Sequence, residues 1–368
     1  MKVRYSYLQD QFGAPDEILA LIKEVVLTGD FTLGRQVGEF EAAFAELIGT
    51  RYAVGVNSGT DALMLGLKAL GIGFGDEVIT AANTFIATAG AINALGARPV
   101  FVDVMPYYTL DVSQVEAAIT DKTRAIMPVH LTGEPADMGS LMEISRRRGI
   151  PIVEDACQSI LAEFDGQRAG TFGSAAGFSL HPLKNLNVWG DSGIIVTDSE
   201  EHAERLRLLR NHGLKNRDEI SIMGYNSRLD TVQAVVGNRL IGQVHDITAK
   251  RIKNAAAYDA AFVELEEHIQ LPLRRSDVRR VFHLYIIETD DRDELLKYLI
   301  EQGVEAKIHY PIPLFLQKGL AHLGYKPGDF PETERQADRI LTLPVDQHLN
   351  PEQIDYVIRV VRDFYAKH

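Results

Sequence analysis

Between about Tyr52 and Thr197, short apolar runs rich in β-branched residues alternate with longer segments rich in alanine and leucine. The runs are 53–56, 77–80, 99–103, 125–129, 151–155 and 194–197. Because they are apolar at successive positions rather than alternate ones, they predict strands buried on both faces. Helix-length segments between such strands predict a mostly parallel sheet covered on both sides. Helices are predicted over 62–70, 86–95 and 138–148. The last closes with Arg146, Arg147 and Arg148 ahead of Gly149, which suits a helix C-terminus.

Past this region the pattern changes. A long helical stretch over 229–267 is followed by a strand over 281–288, a helix over 293–303 ending in Gly303, a proline-rich loop, and a terminal helix over 351–365. These elements predict a compact α+β unit. The expected organisation is a large α/β domain over residues 1–245 and a smaller α+β domain over 246–368, with a long helix near the boundary able to serve both.

Composition narrows the function classes. A formal net charge of −13 argues against bulk attraction to nucleic acid. The single cysteine, Cys157, excludes an intrachain disulfide and a multi-cysteine metal site; it fits a reducing compartment and reads as a small buried residue. No metal site is expected. The N-terminus lacks the apolar run of a signal peptide, and no stretch reaches the roughly 18 apolar residues of a membrane helix, so a cytoplasmic protein with no membrane partner is expected.

Five segments carry candidate chemistry. Ser58, Gly59 and Thr60 join a strand to a helix, where free N–H groups and the positive dipole end suit a phosphate; an ordinary N-cap is the other reading. The glycines of 71–75 imitate a nucleotide fingerprint but follow a helix, which makes them a helix stop. Phe85 comes directly after a strand, placed either to stack on a flat ring or to pack in the core. Asp155 ends a buried apolar strand, with Gln158 beyond it. A carboxylate there needs a partner, either a cationic ring N–H or a structural arginine. Lys184 sits between an apolar strand and a glycine-rich turn, near Leu183, Leu186 and Trp189, whose desolvation would lower its pKa. Ser179 precedes it by five residues. His181 and Trp189 read as packed or catalytic, and Asn226 has no independent claim.

An acidic strand end followed by such a lysine is what a pyridoxal 5'-phosphate (PLP) enzyme needs: the lysine forms the imine and the aspartate keeps the ring nitrogen protonated. Taken in this order, the segments resemble the DegT/DnrJ/StrS sugar aminotransferases, a branch of the fold-type I PLP enzymes, over nearly the whole chain, from Gly34, Phe40 and Glu41 to His309–Pro313. The resemblance implies a mostly parallel, seven-stranded-type sheet with a smaller C-terminal domain. It makes Lys184 the imine lysine, Asp155 the ring-nitrogen partner, Gln158 the ligand of the ring hydroxyl and Phe85 the stacking residue, and it assigns the phosphate to Ser58, Gly59, Thr60 and Ser179. Asn226 would reach the phosphate in the neighbouring subunit, which implies a homodimer with shared active sites. His309, Tyr310 and His181 would border the substrate.

The implied reaction takes an amino group from L-glutamate, through the pyridoxamine form of the cofactor, to a nucleotide-linked keto-sugar. A lysine at 184, where some similar proteins carry histidine, favours amino transfer over dehydration. The forms of 226–230 and 309–314 resemble the branch that aminates C-3; C-4 amination, a keto-cyclitol substrate and a non-enzymatic PLP-binding regulator are the alternatives. Two departures, at 158–162 and at Phe315, are expected to border the substrate.

Overall fold

The computed structural model describes residues 1–367. Its strands are β1 (Tyr52–Val56), β2 (Glu77–Ala81), β3 (Arg98–Val102), β4 (Thr123–Met127), β5 (Val153–Asp155), β6 (Glu163–Phe164), β7 (Gln167–Arg168), β8 (Ala175–Ser179), β9 (Gly193–Thr197), β10 (Val278–Arg279), β11 (Tyr285–Glu288) and β12 (Ile340–Leu343). Seven of them form the central sheet in the order β1-β9-β8-β5-β4-β2-β3. The β5–β4 junction is made by parallel bridges, Ile126 to Ile152 and Val129 to Asp155. In this sheet only β9 runs antiparallel, so the carboxyl ends of β1, β2, β5 and β8 emerge at one edge.

The predicted strands and helices of this region are present, the helices as Gly59–Ala69, Ile86–Ala94 and Met138–Arg148. One strand, β8, the apolar strand ahead of Lys184, falls outside the six β-branched runs because it reads Ala-Ala-Gly-Phe-Ser. Packing accounts for its composition. A Cβ on Gly177 would lie 2.9 Å from Leu63 Cδ2 and 3.2 Å from Ala62, so small residues here let the helix Gly59–Ala69 press against the sheet. The glycines of 71–75 form a turn after that helix, with Gly71 and Gly75 at φ 86° and 85°, as a helix stop requires.

The long helical stretch is broken into Thr231–Leu240, a short turn Ile241–Gln243, and Val244–Phe262. Beyond it, β11 pairs antiparallel with β12, flanked by helices Arg292–Glu301 and Pro351–Tyr365. The last helix starts with a capping box between Asn350 and Gln353. Tyr258, Phe262, Tyr285, Leu299, Leu343, Val357 and Val361 make a core here, and Val3 joins them by pairing with Val304, which ties the N-terminus to this unit. Among the described residues no helix is long and apolar enough to cross a membrane, and no cluster of His, Cys, Asp and Glu could hold a metal.

Candidate active site

A cavity of about 360 Å3 opens at the edge where the parallel strands end. It is lined by Ser58, Gly59 and Thr60 after β1, Phe85 after β2, Gln158 after β5, and Ser179, His181 and Lys184 at and after β8. His309 and Tyr310 from the C-terminal unit close it. Asp155, 5% exposed, ends β5.

Each of these groups is held by local chemistry. Ser58 Oγ accepts from the Asp61 amide at 3.1 Å, so the capping reading holds for its side chain. The amides of Gly59 and Thr60 stand in the first turn, where no intrahelical carbonyl can reach them. A Cβ on Gly59 would come 2.7 Å from Ser179 Cβ, and one on Gly193 would come 2.2 Å from Ser58 O. The second clash is with backbone and cannot be relieved by a rotamer change. Gly193→Ala is therefore expected to destabilise the fold by about 3 kcal/mol, measured as a lower urea midpoint with unchanged slope.

Asp155 Oδ2 accepts from Thr88 Oγ1 at 2.7 Å, and Oδ1 from the Cys157 amide at 3.2 Å. Thr84 and Thr88 hydroxyls lie 2.6 Å apart. Since Thr88 spends its proton on the carboxylate, Thr84 is the donor in that pair. No arginine pairs with Asp155 among the described residues. Gln158 Oε1 accepts from the Thr132 amide at 2.7 Å, so its NH2 end is the one that meets the Tyr310 hydroxyl.

The Lys184 loop is pinned from both sides. Asn187 Nδ2 donates to Pro182 O at 2.6 Å and Lys184 O at 3.0 Å, and Asn185 Nδ2 donates to Val281 O at 3.1 Å. Burial lowers the Lys184 amine pKa, while the negative charge of Asp155 opposes the shift. Phe85, 48% exposed, stands 5.7 Å from Tyr310, with the rings inclined at 35°. Burial raises the Tyr310 phenol to about 12.

Burial holds His309 down to about 4, helped by the Lys307 and Lys184 charges, and its Nδ1 lies 2.9 Å from Thr342 Oγ1. The depressed value couples stability to pH. The unfolded chain binds a proton on this histidine below its ordinary value near 6.5 and the folded chain does not until about 4, so stability falls as pH drops through that window. Replacing His309 with glutamine is expected to flatten the acid limb of a stability–pH curve between pH 6.5 and 4. His283, which burial also depresses, supplies the slope that remains.

Two expectations are corrected. Phe315 does not border the cavity: it is 1% exposed and packs against Phe330 at 4.8 Å in an aromatic cluster with Phe101 and Tyr325. In segment 158–162, Gln158 lines the cavity and Ile160 lines a small pocket beside Lys184, whereas Ser159, Leu161 and Ala162 line neither. Asn226 is exposed, bridges to Asn211, and does not line this chain's cavity. Trp189 packs edge-on against Phe12 at 5.6 Å. The motifs missed Thr88, Cys157, Lys307 and His283. Only Thr84 and Thr88, spaced i, i+4 after a strand, carry a local signal.

The sheet, the position of the cavity and its lining define the class: the chain belongs to the DegT/DnrJ/EryC1/StrS aminotransferase family, whose description matches residues 14–362. It is 43% identical to the dTDP-3-amino-3,4,6-trideoxy-alpha-D-glucose transaminase of Streptomyces venezuelae, over 94% of this chain and 91% of that one. It is 42% identical to a pleiotropic regulatory protein of Geobacillus stearothermophilus, over 95% of this chain and 94% of that one. The crystal structure of S. venezuelae DesV in complex with a ketimine intermediate superposes with a TM-score of 0.96 at 42% identity, covering 99% of this chain and 98% of that one.

Proposed function

We propose that this protein is a PLP-dependent aminotransferase that moves an amino group from L-glutamate to C-3 of a nucleotide-linked keto-sugar. The observation that carries this reading is the convergence of Lys184, Phe85, Gln158, Ser179 and the Ser58–Thr60 helix start on one cavity at the end of the strand that bears Asp155. The 43% identity to a transaminase named for a 3-amino sugar supports the C-3 position.

The residues present fit PLP. Gly59 and Ser179 approach so closely that only a bare backbone fits between them, which favours a phosphate met by the Gly59 and Thr60 amides. Asp155, with a donor fixed on each oxygen, keeps acceptor capacity for a ring N–H. Lys184 would hold the cofactor covalently, Phe85 would stack on its ring, and the second N–H of the Gln158 NH2 group would donate to its ring hydroxyl. Asn226 of the partner subunit would reach the phosphate, so the active form is a homodimer with shared sites.

When bound, the cofactor supplies an electron sink and carries the amino group between the two substrates. The chain supplies the rest. The amine of Lys184, made less basic by burial, would move a proton between the substrate carbon and the cofactor's C4′. Asp155 would hold the ring-nitrogen proton, and Thr88 fixes the angle of its carboxylate. The Tyr310 phenol, raised to about 12, stays protonated and donates.

The test tracks the visible spectrum of the bound cofactor, first with L-glutamate and then with a panel of 3-keto and 4-keto sugar nucleotides and a keto-inositol, and locates the new amine by NMR. Amine at C-3 of a nucleotide sugar is expected; product only at C-4, or only on the cyclitol, overturns the substrate assignment. The name of the Geobacillus relative favours a second reading, a PLP-binding regulator. DNA retardation at low salt would support it, and a net charge of −13 opposes it.

A further inference from the structure

A second cavity of about 370 Å3 is as roomy as the first and shares no lining residue with it. The two lie either side of one segment: Phe282 lines this cavity, while His283 and Leu284 line the other. The stretch 274–280 brings four guanidinium groups here, from Arg274, Arg275, Arg279 and Arg280. Four cations so close repel one another, and carboxylates outside the cavity hold two of them. Asp259 takes Arg274 in a fork at 2.6 and 3.0 Å, and Asp277 takes Arg275 at 3.1 and 3.3 Å. Glu134 is the one acidic residue in the lining.

The other two arginines keep donors in hand. Arg279, 38% exposed, donates to Leu161 O at 2.7 Å, and its nearest carboxylate, Glu163, is 4.0 Å away. Arg280 has a side chain 7% exposed. Its Nε stands 2.7 Å from Glu134 Oε2 as an ion pair, yet neither Nε nor Nη2 has a hydrogen-bond partner among the described residues. A buried cation with an unmade hydrogen bond is costly, and the ion pairs around it do not account for this one. The Phe282 ring lies beneath, with Arg274 5.2 Å and Arg280 5.7 Å from its centroid.

We propose that this second cavity is a binding site for a phosphate-bearing anion, gripped by Arg279 and Arg280 and walled by Phe282. The planar guanidinium fork matches phosphate oxygens in pairs, which a lysine cluster would not do. The volume admits more than one phosphate group, so either a free polyphosphate or the diphosphate of a nucleotide meets the same chemistry. The site is separate from the cofactor cavity and stands whether or not the aminotransferase reading holds.

The test is calorimetric titration of the PLP-loaded protein with inorganic pyrophosphate and, separately, with dTDP, for the wild type, Arg279→Gln and Arg280→Gln. Arg279 is on the rim, so its variant is expected to fold, which circular dichroism checks. Pyrophosphate is expected to bind the wild type and to bind Arg279→Gln at least tenfold more weakly, with the cofactor's visible spectrum unchanged. A second dTDP site per chain that disappears in the same variant would identify a nucleotide as the ligand; loss confined to pyrophosphate would identify the free anion. Equal pyrophosphate affinity in wild type and Arg279→Gln, or no wild-type binding at about 5 mM, overturns the proposal.

Discussion

Lys184→Ala is expected to lose turnover by at least about 10^4-fold while PLP remains bound. The lysine amine sits inside the cavity on a loop pinned by Asn185 and Asn187, while the other amine of the lining, Lys307, lies over the Tyr5 ring at 4.4 Å. Burial lowers its pKa, which raises the neutral fraction able to accept a proton near neutral pH. The other bases at the cavity are poor substitutes. His309, held to about 4, is a weak base, and burial depresses His181 and His283 as well. Cofactor retention should survive, because stacking on Phe85, the Asp155 contact and the phosphate amides do not involve the lysine. Steady-state kinetics and the spectrum of the dialysed variant measure both halves. Activity above about 1% of wild type would rule out Lys184 as the proton carrier.

Asp155→Asn is the second large effect, expected to lower kcat by about 10^3-fold with little change in the KM for glutamate. Asparagine keeps the shape and can still accept from Thr88 or the Cys157 amide, but it has no charge with which to hold a proton on the ring nitrogen. Thr88 offers a graded control. Thr88→Val removes the 2.7 Å hydrogen bond and should cost about tenfold, while Thr88→Ser restores the donor and most of the rate. The pH titration of the cofactor's absorbance should shift in the asparagine and valine variants and return in the serine variant. A purely structural role for Asp155 would lower stability without moving that titration.

Most of the sheet was legible because its signals are local. Runs such as 77–80 and 125–129 are apolar or β-branched at most positions, and arginines before Gly149 mark a helix end by charge and turn chemistry alone. β8, expected only as the apolar strand before Lys184, lies outside the β-branched runs because its small residues suit contact with a helix over a hundred residues earlier in the chain. β12, four residues long, is defined by its pairing with β11. The split of the 229–267 helical stretch does carry a local signal: the turn at Ile241–Gln243 is centred on Gly242, a poor helix former, though one glycine does not by itself end a helix.

The site divides in the same way. Ser58–Thr60, Phe85, Asp155, Gln158, Ser179 and Lys184 could be named in advance because each succeeds or ends a strand, and parallel strands deliver the residues at their carboxyl ends to one edge. Phe315 was misplaced because it stands where the family it resembles commonly has a histidine, yet a phenylalanine is free to turn inward after a proline-rich loop; its ring went into an aromatic core. Thr88 could be connected to Asp155, 67 positions away, only once β2 and β5 lay in one sheet.

By itself, then, the sequence determined the alternation of strands and helices, the acidic strand end and the lysine beyond it, since these depend on residue type and short-range periodicity. Tertiary structure decided which hydroxyl orients Asp155, which end of Gln158 meets Tyr310, that burial weakens Lys184 as a base, and that four arginines converge on a second cavity. Those outcomes are set by distances and desolvation between residues far apart in the chain, and no local pattern encodes them.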